Sequence, residues 1–323
     1  MKYDVYFYEA FEEEERQLRH FLPSSVKAGF TYKTIQECNH TDPPADIIST
    51  RTQTIVPDEW LNQVKAFLSR STGYDYYKTL RSKAKPTVHF GYLPLYCNRS
   101  VAEQAMLLWM ALTRKLPVQI KQFSSFDRDG ITGREVQNKV LLVVGVGNIG
   151  YEIVRIGRGL DMTVYGVDIV KKHDDVNYVN FEDKVSMADI IVTAMNLTPE
   201  NTGYFNYKKL KNAKPGALFI NIARGEQSIP SDIKRLLDEG ILGGVAMDVY
   251  PFENELGMAL RTGTEVKNPE LKVVRELANY PNVIQTPHNA FNTEEAVVRK
   301  SEQSVRQIEH FINHEKLLWE IPK

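Results

Sequence analysis

The chain has 323 residues, a formal net charge of -1 from 40 basic and 41 acidic residues, and two cysteines. That length exceeds one ordinary core and suits two domains, while the even mix of charges leaves no electrostatic footprint for a nucleic acid or an anionic membrane. Cys38 and Cys97 lie in separate segments without C-x-x-C spacing, which excludes a disulfide framework or zinc cluster and fits a soluble protein of the reducing cytoplasm.

Neither the amino terminus nor any later run has the apolar length of a signal peptide or a membrane span. Through the first hundred residues, short β-rich runs alternate with helix-length stretches. The runs are YDVYFY at 3–8, FTYKTI at 30–35, ADIIST at 45–50, AFLSRS at 66–71 and TVHFG at 87–91. Such alternation implies a parallel α/β sheet. Glu12 to Glu15 reads as the solvated start of the first helix, where acidic groups suit the helix dipole, and is given no function.

A long helix from Arg99, with Val101, Ala105, Leu108 and Leu112 recurring at helical spacing, opens a second block. Its strands are nearly continuous apolar runs at 140–147, 163–168, 189–195, 217–223, 243–249 and 282–287, the pattern of a sheet covered on both faces. A closing helix follows Thr293, and its simplest home is back against the first domain. The predicted domains are therefore 1–98 completed by 291–323, and 99–290.

Between the first strand of the second block and its helix stands VLLVVGVGNIG, which sets Gly145, Gly147 and Gly150 in G-x-G-x-x-G. The first glycine makes the tight turn, the second lets backbone approach a pyrophosphate, and the third lets helix and strand pack closely. The anion then meets the free N–H groups and dipole of a helix amino terminus. The next strand ends at Asp168, where a carboxylate can accept both ribose hydroxyls of NAD and repel the 2′-phosphate of NADP. Lys171 and Lys172 follow closely and leave room for NADP, but Asp168 argues for NAD.

Three later segments, NIARG at 221–225, AMDVYPFENE at 246–255 and TPHNAFNT at 286–293, follow this fingerprint in order. With it they resemble the NAD-dependent D-2-hydroxyacid dehydrogenases, the family of D-lactate dehydrogenase, over almost the whole chain. The resemblance implies two Rossmann-like or flavodoxin-like parallel-sheet α/β domains with an active-site cleft between them, and a homodimer through the NAD-binding domain. It implies Arg224, Glu253 and His288 as the catalytic set. Reducing a 2-oxo acid needs a hydride at the carbonyl carbon, a proton for the oxygen, and a cation that holds the carboxylate and polarises the carbonyl. Arg224 would be that cation, His288 the proton donor, and Glu253 the group that orients the imidazole and favours its protonated form.

Carried over residue by residue, the resemblance puts Asn148 and Ile149 on the pyrophosphate and Asp168 on the adenosine ribose. Met195, Asn196 and Asn201 would lie on the adenine side, although the family usually has proline where Asn196 stands. Ile222, Ala223 and Asp248 would line the nicotinamide end. On the substrate side it points to the turn at Thr72 and Gly73, to Arg51, and to the aromatic walls Tyr96 and Phe291. No metal is implied. The stretch 253–271 reads as a surface excursion of the kind found in the D-lactate branch, which favours pyruvate and D-lactate or a close homologue. Arg51 keeps a dicarboxylic substrate, hence an (R)-2-hydroxyglutarate dehydrogenase, open. A D-3-phosphoglycerate dehydrogenase and an NAD(H)-sensing corepressor-like binding protein are the other readings.

Overall fold

The computed structural model describes residues 2–322. The chain divides into two compact α/β units, one made of the residues up to Cys97 together with those from Asn292 onward, the other of Asn98–Phe291. Among the described residues no helix is long and apolar enough to cross a membrane.

The first unit contains β1 (Tyr3–Phe7), α1 (Glu12–Phe21), β2 (Ala28–Phe30), β3 (Ala45–Thr50), β4 (Ala66–Ser69), α2 (Asp75–Lys83) and β5 (His89–Gly91). The strands form a parallel sheet in the order β2-β1-β3-β4-β5. Side chains alternate across it as a pleat requires. Val5, Phe7, Ile47 and Leu68 enter one core, while Tyr8, Ile48 and Phe67 enter the other. The first of these cores is closed by Val305, Ile308 and Phe311 from a 21-residue helix, Glu294–His314, so the end of the chain does pack against the beginning.

Two expectations for this unit fail. The run 30–35 is not a strand, because β2 ends at Phe30 and Thr34 turns the chain by a capping box, its backbone N–H and hydroxyl both donating to Glu37 Oε2 at 3.0 and 2.8 Å. The acidic start of α1 is not wholly solvated either. Glu12 and Glu13 are exposed, but Glu14 is fully buried and ion-paired to Arg70 and Lys300.

The second unit opens with α3 (Asn98–Thr113) and α4 (Leu116–Gln122). It continues with β6 (Val140–Val144), α5 (Asn148–Gly159), β7 (Thr163–Val167), α6 (Phe181–Lys184), β8 (Ile190–Thr193), α7 (Tyr207–Leu210) and β9 (Ala217–Asn221). It ends with α8 (Pro230–Asp238), β10 (Leu242–Met247), α9 (Glu253–Thr262), α10 (Pro269–Leu277) and β11 (Val283–Gln285), and the Glu294–His314 helix is α11. The six parallel strands run β11-β10-β9-β8-β6-β7, and an isolated bridge between Gly166 and Tyr178 adds a rudimentary strand beyond β7. Strand order therefore reverses between β6 and β8, the place where doubly wound sheets bind ligands beyond their carboxyl ends.

The stretch 253–271, expected as a surface excursion, is mostly helical. It forms α9 and the start of α10, and Leu256, Ala259, Val266 and Leu271 join the buried core under β10.

Candidate active site

At the reversal point, Gly145 turns with φ +92°, and a Cβ there would stand 2.6 Å from the backbone nitrogen of Met195 in the loop after β8. A Cβ on Gly150 would stand 1.9 Å from the Gly145 carbonyl oxygen, so only glycine lets α5 start this close to β6. Gly147 differs: a Cβ there would meet nothing. The chain's own packing does not require that glycine, and the space beside it lies at the amino terminus of the 12-residue α5, whose first turn carries no acidic side chain. Asp168, directly after β7, accepts the backbone N–H of Val146 at 2.6 Å and of Val170 at 3.0 Å, which fixes its carboxylate beside the turn. Lys172 reaches back to Asn148 Oδ1 at 3.5 Å, and Ile149 is half-buried behind it. These residues fit a dinucleotide with its pyrophosphate on α5 and a ribose at Asp168.

The loop after β8 is held by two amides. Asn201 accepts the Thr198 N–H at 2.8 Å and donates to the Asn196 carbonyl at 2.7 Å. Gln227, fully buried, donates to the carbonyls of Met195 and Asn196, each at 3.2 Å, and accepts from the Thr193 hydroxyl. Sequence reasoning missed Gln227, because its effect is exerted on a loop 31 residues away.

Arg224 follows β9 on a turn built by Asn221. The Asn221 side chain accepts the Ala223 N–H at 3.1 Å and donates to the Arg224 carbonyl at 3.0 Å, with Ile222 and Ala223 buried between them. Gly225 then passes so close to the Tyr250–Pro251 peptide that a Cβ would lie 1.8 Å from the Tyr250 carbonyl carbon. The turn carrying Arg224 and the turn leading to Glu253 are thus in backbone contact.

Glu253 is the first residue of α9, and its two carboxylate oxygens lie 2.8 and 2.9 Å from His288 Nδ1. Each side chain is about one-quarter or less exposed, at 24% for His288 and 20% for Glu253. His288 itself has φ +51°, a left-handed backbone that a non-glycine residue adopts at some cost. Asp248 holds that backbone. Fully buried after β10, it takes the Thr286 hydroxyl and the N–H groups of Asn289 and Ala290, both at 2.9 Å, and so clamps the turn from both sides of His288. Burial pushes its carboxyl up from the ordinary range, against the pull of those hydrogen bonds. The Tyr250 hydroxyl adds a donor to the Thr286 carbonyl at 2.9 Å. The resemblance implied a cofactor contact for Asp248; what the geometry shows is this anchoring task.

The remaining predicted residues divide between the units. Phe291 is buried in the second, its carbonyl accepting the Ser100 hydroxyl at 3.2 Å. In the first, the Thr72 hydroxyl donates to the Leu93 carbonyl at 3.1 Å and lies 3.3 Å from Cys97 Sγ. The Gly73 carbonyl accepts the Ser71 hydroxyl at 2.7 Å. Tyr96 is buried, which raises its hydroxyl well above the ordinary tyrosine range, and Arg51 is half-buried with its guanidinium 5.3 Å from the centre of the Phe11 ring.

Known proteins place the chain in a family. The sequence profile of the D-isomer specific 2-hydroxyacid dehydrogenase NAD binding domain matches residues 106–290. A D-lactate dehydrogenase of Streptococcus agalactiae is 31% identical over 241 residues, covering 72% of each chain. An aromatic 2-oxoacid reductase of Clostridium sporogenes is 30% identical over 225 residues, covering 68% of this chain and 67% of its own. Among solved structures, a D-lactate dehydrogenase from Aquifex aeolicus, complexed with NAD and lactic acid, superposes with a TM-score of 0.83 at 23% identity, over 96% of this chain and 95% of that one. A D-2-hydroxyisocaproate dehydrogenase gives the same TM-score of 0.83 over 99% of both chains. With the glycine loop, Asp168 and the His288–Glu253 pair on one doubly wound unit, the chain belongs to the D-isomer specific 2-hydroxyacid dehydrogenases, NAD-dependent oxidoreductases that interconvert 2-oxo acids and D-2-hydroxy acids.

Proposed function

We propose that this enzyme reduces a short 2-oxo acid, pyruvate or a close homologue, to the D-2-hydroxy acid. The observation that carries the reading is the clamp on His288. With Nδ1 held by both oxygens of Glu253 at 2.8 and 2.9 Å, Nε2 is the ring nitrogen left to face a substrate. His288 then donates its proton from Nε2 to the carbonyl oxygen, and Glu253 keeps the ring aligned through the transfer. Arg224 takes the substrate carboxylate in its planar fork and polarises the carbonyl. In the other unit, the backbone N–H groups of Thr72 and Gly73 are our candidate contacts to the substrate. When bound, the reduced cofactor supplies the hydride.

Within this reading the unit of residues 98–291 is the NAD-binding domain and the other is the substrate-binding domain. A homodimer through the NAD-binding domain is supported by the exposed apolar side chains of Leu116, Ile120, Phe123 and Phe126, which follow α3 in one short stretch. The reducing cytoplasm remains our proposed location, in keeping with two cysteines that form no disulfide.

The test is a panel of 2-oxo acids with NADH, scored by kcat/KM and by product chirality, on the wild type and on His288→Asn. Turnover should yield the D product and fall by about 100- to 10,000-fold in the variant, the range that one general acid contributes. An L product, or a His288→Asn enzyme of undiminished kcat, would remove the mechanism.

A further inference from the structure

The buried side chain of Gln227 has a task that the chemistry above does not assign. It lies on the short turn Gly225–Gln227 that follows Arg224, and none of it is exposed. Its backbone is fixed on both sides, the N–H donating to the Arg224 carbonyl at 3.3 Å and the carbonyl accepting the Phe205 N–H at 2.8 Å. The amide is fully used. Nε2 has two hydrogens and two acceptors, the carbonyls of Met195 and Asn196, while Oε1 takes the hydroxyl of Thr193, all at 3.2 Å. Glutamate of the same shape would set acceptors against two carbonyls, and an aliphatic side chain would leave the Met195 carbonyl and the Thr193 hydroxyl without that partner.

What the amide grips is a stretch without regular structure, between the end of β8 at Thr193 and the short turn Pro199–Asn201. Asn201 secures its far half and shares the Asn196 carbonyl with Gln227, but the Met195 carbonyl has Gln227 as its sole hydrogen-bond partner among the described residues. A trans peptide points its N–H opposite to its C=O. With the carbonyls of 195 and 196 drawn to the buried amide, the N–H groups of Asn196 and Leu197 are turned away from it, and among the described residues neither donates to an acceptor of the protein. The stretch begins against the phosphate turn, where the Met195 nitrogen stands 2.6 Å from the Cβ position of Gly145. The two donors therefore follow directly on the residue that borders that turn.

We propose that Gln227 is a positioning residue for the dinucleotide: by holding the two carbonyls it presents the N–H groups of Asn196 and Leu197 to acceptor atoms in the ADP-ribose part of the cofactor. It touches no cofactor atom itself. The inference rests on the reading of the loop after β8 as part of the dinucleotide site, and adds the buried residue that sets the loop's shape. Without the amide the loop samples other arrangements, and the apparent affinity falls with the fraction of molecules still in the binding one. Two neutral hydrogen bonds carry about a tenfold change in that fraction.

Gln227→Met keeps the side-chain length and removes both donors. Its Kd for NADH and for ADP-ribose, which lacks the nicotinamide, should each rise about 10-fold, and KM for NADH with them, while kcat at saturating NADH stays within about twofold of wild type. Thr193→Val is the control for stability: it takes the partner from Gln227 Oε1 in the same buried place, so it lowers the urea midpoint but leaves both Kd values within about twofold. A measurement on the wild type covers the case of a Gln227→Met chain that does not fold. Hydrogen–deuterium exchange at Asn196 and Leu197 should be fast in the free protein and slowed by ADP-ribose. Unchanged Kd values in Gln227→Met, a loss that Thr193→Val shares in full, or exchange that ADP-ribose does not slow each overturns the proposal while the dinucleotide site stands. A loss confined to NADH would place the effect at the Arg224 turn and overturns it as well. If the wild type binds neither NADH nor ADP-ribose, the dinucleotide reading fails and the proposal with it.

Discussion

Asp248 illustrates how much of this site depends on groups one step removed from the substrate. Its two oxygens take three donors, from Thr286, Asn289 and Ala290, and so fix the left-handed turn of His288. In Asp248→Asn one of those oxygens becomes an NH2 pointing at N–H or O–H groups, and a buried donor loses its acceptor at a cost of about 1–3 kcal/mol. We expect a lower urea midpoint and a reduced kcat with little change in KM for NADH; a variant with both unchanged would show that the turn holds without the carboxylate. The contact between Glu253 and His288 was legible because each sits in a contiguous motif. Asn221 and Gln227 were not, since an amide that shapes a neighbouring turn looks like any other amide until the loops are in place.

Among the elements, the start of α5 is the most constrained. Gly150→Ala would drive a Cβ into the Gly145 carbonyl 1.9 Å away, and relief requires the helix to move off β6. Overpacking of that kind costs about 1–3 kcal/mol and displaces the N–H groups meant for phosphate. Titration of NADH fluorescence should therefore show at least about tenfold weaker binding, and an affinity equal to wild type would mean the loop tolerates the shift. The strands of this unit were readable from their apolar runs. The segment 253–271 was read as a surface excursion, and most of its side chains are indeed exposed or half-exposed, but its helices were not legible, since Gly257 and Gly263 punctuate it like a loop. Gly263 in fact ends α9 with a left-handed C-cap, while Gly257 lies inside the helix, whose contacts with the core outweigh its poor propensity.

For the molecule as a whole, the buried cluster of Glu14, Arg70 and Lys300 predicts a particular response to pH. Lys300, held at about 7 by burial and by Arg51 and Arg70, keeps fewer protons in the folded protein than in the unfolded chain between pH 7 and its ordinary 10.5. Its unfavourable contribution is complete below pH 7 and disappears as pH rises across that window, so this residue makes stability climb with pH. For Glu14 burial alone would raise the carboxyl, yet Arg70 and then Lys300 hold it down at about 2. Its contribution is present above the ordinary 4.5 and is lost as pH falls towards 2. The difference in unfolding free energy between wild type and Lys300→Met should therefore rise between pH 7 and 10, and a flat difference would contradict the assignment. Neither partner was legible in sequence: Glu14 hid in an acidic run, and Lys300 on α11 lies nearly the whole chain away from it. The same fold predicts that Ile308→Ala, at a fully buried position where α11 closes the first core, costs about 2–5 kcal/mol.

That closure by α11 also sets an order of events during synthesis. The residues that lay down β1 to β5 are made before the second unit, yet the face formed by Val5, Phe7, Ile47 and Leu68 is covered only in part, by Leu18 and Phe21 of α1, until α11 has been made about 200 residues later. The unit of residues 98–291 is continuous and can complete its own core in the interval. A nascent chain arrested just after Phe291 should therefore yield a protease-resistant fragment from the later unit, while the earlier one is still cut. Of the two units, the one begun earlier is the last to be finished, and through that interval it depends on whatever shields a half-covered apolar sheet face from its neighbours.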